Sequence, residues 1–157
     1  MPVYSRAMAV LKRRGFQFDE TMSGSYARVD APERSRAMSF TVRAQTDSVG
    51  ASLKSKRVLL RGTMRAEGLA DDVPTEGTLQ LSTASRRLFY ELEFPGNDGR
   101  PYRLEGEKRL RLPNLLRSMT VLQGDILNSA GGVVATAELT FDVRADLLPF
   151  LASWRPA

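Results

Sequence analysis

From residue 36 to residue 143 apolar and polar side chains alternate with a period of two in one segment after another, and this constrains the fold more than anything else in the chain. A period of two is the signature of a strand with one face buried and the other in water. In Arg36–Ala44, Met38, Phe40, Val42 and Ala44 share a face opposite Ser39, Thr41 and Arg43. Arg57–Glu67 aligns Val58, Leu60, Gly62, Met64 and Ala66. Arg86–Phe94 sets Leu88, Tyr90, Leu92 and Phe94 against Phe89, Glu91 and Glu93. Pro101–Leu110 puts Tyr102, Leu104, Gly106, Lys108 and Leu110 in phase, with Arg103, Glu105, Glu107 and Arg109 opposite. Gly132–Val143 aligns Val133, Ala135, Ala137, Leu139, Phe141 and Val143. Shorter strands are expected at Ser23–Val29, Thr75–Thr83 and Ser118–Leu127.

The breaks between these runs are turns. Pro95-Gly96-Asn97-Asp98-Gly99 and Asn128 to Gly132 are rich in residues that accept positive φ. Asp71-Asp72 before Pro74 reads as loop, and two acids without further oxygen ligands do not make a calcium site. A helical spacing occurs only near the ends. Ala7, Met8, Val10 and Leu11 predict a helix over 5–14 that stops at Gly15, and Asp146–Trp154 predicts a short helix or turn interrupted by Pro149.

Strands without intervening helices favour antiparallel pairing throughout. The expected fold is all-β: about eight antiparallel strands in an up-and-down, lipocalin-like barrel with short terminal helices, the alternative being a β-sandwich. The 157 residues suit one domain, with a helical cap over 5–14, the barrel over 22–143 and the C-terminal helix or turn over 144–155. Gly62, Gly106 and Gly124 each follow a leucine two residues earlier and lie in the apolar phase of their strands. Glycine there lets a strand bend as closure of a barrel requires, or it makes room for a bulky neighbour.

Composition removes whole classes of chemistry. With no cysteine and no histidine, disulfides, thiolate catalysis, the Ser-His-Asp relay and the commonest metal ligands are gone. The chain has no phosphate-cradling glycine motif. Glu91 with Glu93, and Glu105 with Glu107, share strand faces, but Arg103 and Arg109 lie among them, which reads as a solvated ladder of opposite charges. A net charge of +5 is spread over 23 basic and 18 acidic residues. Phe89 is the one aromatic at clear outward phase, and acids flank it, so nucleic-acid binding is not expected. No apolar run approaches the roughly 20 residues of a membrane-spanning helix, and no signal-peptide pattern opens the chain, so a cytoplasmic location is expected. No catalytic constellation and no cofactor are expected.

What remains is the inside of the barrel. Met38, Phe40, Met64, Tyr90, Tyr102, Leu104, Lys108 and Phe141 are the expected ligand-lining set. Tyr90 and Tyr102 would orient a ligand through their hydroxyls, or be core residues with satisfied tips. Lys108 would hold the carboxylate or phosphate of an amphipathic molecule at the barrel mouth, or reach past the strand end to water.

The segment Phe18-x-Glu20-Thr21-Met22-Ser23-Gly24 resembles the opening of an accessory module found with some bacterial GMC-type, cholesterol-oxidase-like oxidoreductases. The runs Gly62–Gly68, Gly77-Thr78-Leu79, Leu88–Phe94 and Leu104-x-Gly106-x-Lys108 are similar too, as is the ending Phe141–Arg144 through Phe150–Arg155. The resemblance implies an association with sterol or lipid chemistry. It carries over no catalytic residue, because the flavin-binding and catalytic segments belong to the oxidoreductase.

The expected function is a non-enzymatic module that binds an apolar small molecule, a lipid or sterol, within the barrel. One alternative is a protein-interaction or regulatory module for an oxidoreductase or lipid-acting hydrolase, contacting it through Leu112–Leu116 and Pro149-Phe150-Leu151. The other is a histidine-free barrel isomerase or cyclase, which would need an inward carboxylate or lysine.

Overall fold

Among the described residues eight strands follow one another: β1 (Phe16–Arg28), β2 (Arg36–Thr46), β3 (Arg57–Ala66), β4 (Ala70–Ser82), β5 (Arg87–Pro95), β6 (Pro101–Arg109), β7 (Val121–Asn128) and β8 (Val133–Thr140). The computed structural model describes residues 16–46, 57–82, 84–109 and 121–141, with no helix among them. Each strand pairs antiparallel with the next, and β8 pairs antiparallel with β1 from Ser23↔Thr140 to Arg28↔Ala135. The sheet is therefore a closed up-and-down barrel rather than a sandwich. Closure leaves no unpaired strand edge. The helices expected over 5–14 and 144–155 lie outside the described residues.

Alternation fills the interior. Tyr90, Leu92 and Phe94 of β5 are buried while Phe89, Glu91 and Glu93 face outward. Phe40, Met22, Met38, Leu60, Met64, Leu92, Leu104, Leu122, Ile126 and Leu139 are all buried within a single core cluster. Burying each such side chain stabilises the fold by roughly 1.5–3 kcal/mol. The outer wall carries Arg43, Arg61, Glu91, Glu105, Asp125 and Glu138. This is the reverse of a membrane barrel, which turns apolar residues to lipid. Among the described residues no helix is long and apolar enough to cross a membrane.

The structure departs from the sequence reading at three strands. β1 starts at Phe16, well before the expected Ser23 and before the expected barrel start at residue 22, and it carries Glu20 and Met22 to the inside. β4 starts at Ala70, so Asp71, Asp72 and Pro74 belong to a strand rather than a loop. The pairing slips there between Met64↔Val73 and Ala66↔Ala70, with Asp72 at a φ of 46°; this bulge is where the alternation was lost. In β8, Ile126 pairs Ala135 while Leu127 pairs Val133, which leaves Val134 as an extra residue. The bulge turns Val133 outward, 44% exposed, on the same face as its partner Leu127, while Ile126 stays in the core.

The inward glycines have two different causes. A Cβ on Gly62 would lie 1.9 Å from the Thr41 carbonyl oxygen, so neighbouring backbone, not a bulky side chain, requires the glycine. At Gly106 the first obstacle is the Leu122 side chain at 2.9 Å, and there the room-making reading holds.

The two ends of the barrel differ. One end consists of the short turns over 29–35, 67–69, 96–100 and 129–132. It is tied down by the Tyr26 hydroxyl, which donates to the Glu67 carbonyl, and by buried Leu69, whose carbonyl accepts from the Asn97 amide at 2.8 Å. At the other end β1 begins and β8 finishes.

Candidate functional site

Lys108 follows Leu104 and Gly106 on the inward face of β6, near the strand's end. It does not reach past the strand end to water: it is 3% exposed, and its Nζ donates to Glu20 Oε1 at 2.5 Å. Glu20 comes from the inward face of β1, which does not neighbour β6 in the sheet, so the pair spans the barrel interior. The second carboxylate oxygen, Oε2, accepts from the Tyr90 hydroxyl at 2.9 Å. The lysine Nζ sits 4.9 Å from the centre of the Tyr90 ring, within range of a cation–π attraction. Phe40 backs the same ring at a centroid distance of 6.3 Å.

Burial raises the Tyr90 hydroxyl well above its ordinary pKa, and the charge of Glu20 and the hydrogen bond to it push the same way. Tyr90 therefore stays neutral and donating. The three side chains form one neutral unit, a cation and an anion with a hydroxyl donor, inside the apolar core. Glu20, Thr75 and Lys108 are the buried polar or charged residues among those described, and Thr75 satisfies itself by donating to the Glu93 carbonyl at 2.8 Å.

The expected ligand-lining residues separate into groups. Met38, Phe40, Met64 and Leu104 are buried core side chains, with Phe40 directly opposite Met64 across β2 and β3. Tyr90 and Lys108 meet in the ion-pair unit. Tyr102 lies at the turn end, stacked on Phe94 at 6.0 Å and donating to Asp98 at 2.7 Å. That bond raises the Tyr102 pKa and lowers that of Asp98. Tyr102 is thus separated from Lys108 along β6 by Leu104 and Gly106. Phe141 follows β8 at the opposite end and packs, partly buried, against the core. Leu112–Leu116 and Pro149-Phe150-Leu151 lie outside the described residues.

Sequence reasoning missed Glu20 as an interior group. The signal was present, since Glu20 shares the phase of Met22 on a strand that starts earlier than expected. An inward acid and an inward lysine are what an isomerase would need, but both oxygens of Glu20 already accept hydrogen bonds from Lys108 and Tyr90. The outward ladder is as expected: Arg103 bonds Glu105 at 2.8 Å and lies 4.0 Å from Glu91, and Arg87 and Arg109 flank Glu107 at 3.3 and 3.4 Å. Such exposed pairs contribute about 0–1 kcal/mol each.

Fold and site together define a closed antiparallel barrel with an apolar interior crossed, among the described residues, by one buried ion pair. Comparisons with protein-family models, curated proteins and solved structures give no match to this chain.

Proposed function

We propose that the chain is a non-enzymatic, lipocalin-like binding module whose interior takes an apolar small molecule of the lipid or sterol class. The observation that carries this reading is the Lys108–Glu20 pair buried within the apolar core of the barrel. A buried ion pair is seldom more stabilising than well-packed apolar residues of the same volume, so packing alone gives little reason for it. A single polar anchor within an apolar pocket is instead how small-molecule sites fix orientation.

Two features support accommodation of a ligand. Met22, Met38 and Met64 line the core, and unbranched methionines repack readily around a guest. Val58, Leu79 and Leu88 are only partly buried against that core. Leu88 pairs with Lys108 itself, and Leu79 pairs with both Tyr90 and Val58, so these side chains adjoin the polar unit. The resemblance of Phe18–Gly24 to the opening of GMC-associated accessory modules is a reason to choose probes of the sterol and lipid class.

The test is equilibrium binding of radiolabelled cholesterol and hexadecanol to the intact chain. Saturable one-to-one binding of either probe, weakened at least about tenfold by a lumen-filling Met64→Trp in protein whose circular dichroism is unchanged, is the expected result. Absence of saturable binding to both probes, or binding indifferent to Met64→Trp, would overturn the reading.

A further inference from the structure

Lys108 carries three N–H donors when charged. One is directed to Glu20 Oε1, and the Tyr90 ring face lies 4.9 Å from the nitrogen. No other side chain or carbonyl accepts from it among the described residues, so this buried ammonium has a donor to spare. The Tyr90 oxygen, having donated its proton to Glu20, keeps lone pairs to accept with. A single ligand oxygen placed here can accept from Lys108 and, if it is a hydroxyl, also donate to its surroundings.

The charge of the unit then decides what that oxygen can belong to. Lys108 and Glu20 cancel. A ligand carboxylate or phosphate would meet attraction from Lys108 and repulsion from Glu20 at similar range, and nothing would offset the cost of removing it from water. It could enter as the neutral acid, but a carboxyl of pKa about 4–5 must then take up a proton, which at neutral pH lowers affinity by about a hundredfold to a thousandfold. An alcohol or carbonyl oxygen carries no such penalty.

We infer that the Glu20–Lys108–Tyr90 unit selects apolar ligands with a neutral oxygen head group, an alcohol, ketone or ester, and rejects their carboxylate counterparts. Glu20 is the discriminating residue, because it already occupies the place on Lys108 that a ligand carboxylate would take. This rests on the lumen-binding reading above and reverses the expectation that Lys108 serves an anionic head group.

The experiment compares hexadecanol with hexadecanoate, which share a chain, by competition against a labelled neutral probe at neutral pH, in the wild type and in Glu20→Gln. The wild type is expected to prefer the alcohol by about a hundredfold or more. Glu20→Gln keeps the shape and leaves the Lys108 charge unopposed, so the acid should gain at least about tenfold relative to the alcohol. Equal or tighter binding of the acid by the wild type would overturn the inference, as would an acid-to-alcohol ratio that Glu20→Gln leaves unmoved. The wild-type comparison decides even if the variant folds poorly. Binding of neither compound would instead refute lumen binding itself.

Discussion

Lys108→Met is the sharpest perturbation of the interior. It removes an ammonium from a site 3% exposed and leaves the Glu20 carboxylate, itself 6% exposed, with the Tyr90 hydroxyl as its remaining hydrogen-bond donor. Breaking a buried pair from one side costs about 3–5 kcal/mol, because a charge stays buried without its partner. Glu20→Gln strands the lysine in the same way and should cost a similar amount. The double variant Glu20→Gln/Lys108→Met buries no charge, and the Gln oxygen can still accept from Tyr90. It should therefore lie within about 1–2 kcal/mol of the wild type. The two single losses would sum to roughly 6–10 kcal/mol, so the coupling is about 4 kcal/mol or more, large against a domain stability of about 5–15 kcal/mol. Urea unfolding followed by far-ultraviolet circular dichroism reads all four proteins at neutral pH. Additivity to within about 0.5 kcal/mol would mean that the two side chains do not meet in solution.

Other expectations follow from single contacts. Tyr90→Phe keeps the ring and deletes the donor to Glu20, so it should cost about 1.5–3 kcal/mol in urea unfolding, whereas Tyr102→Phe at the exposed Asp98 contact should cost under about 1 kcal/mol. Gly62→Ala drives a methyl into the Thr41 carbonyl and should destabilise by about 1–3 kcal/mol or more; thermal melts that match the wild type would contradict the close approach. Tyr90 should resist ionisation in an ultraviolet difference titration. Its folded pKa is raised, so above pH ~10 the unfolded chain loses a proton that the folded chain keeps, and stability falls as pH rises through that range. Since Glu20 contributes to the shift, Glu20→Gln should bring the Tyr90 titration partway back, and a titration unchanged by the substitution would remove the contact.

How much of this was legible in the sequence can be judged from particular strands. β5 shows its register outright, because Leu88 to Phe94 alternates without a break and one residue in two is buried. β8 misleads at its start, where the bulge at Val134 reverses the phase and sends Val133 outward. β4 hides its first turn of strand because Asp71, Asp72 and Pro74 have loop composition, and pairing with β3 overrides that local preference. Lys108 could be placed inside by phase alone. Its partner could not, because which two residues meet across a barrel depends on the stagger of strands that are not neighbours. Phase places a residue inside or outside; it does not choose its contacts across the lumen.

The proposed function has the barrel interior take up a neutral, apolar molecule. Native mass spectrometry of the gently purified chain, followed by extraction and identification of whatever denaturation releases, tests it most directly. The expected result is a stoichiometric apolar compound bearing an alcohol, ketone or ester oxygen, lost or exchanged in the Lys108→Met/Glu20→Gln protein. A bare chain that stays bare after incubation with cholesterol and hexadecanol, or one that retains a fatty acid instead, would contradict it.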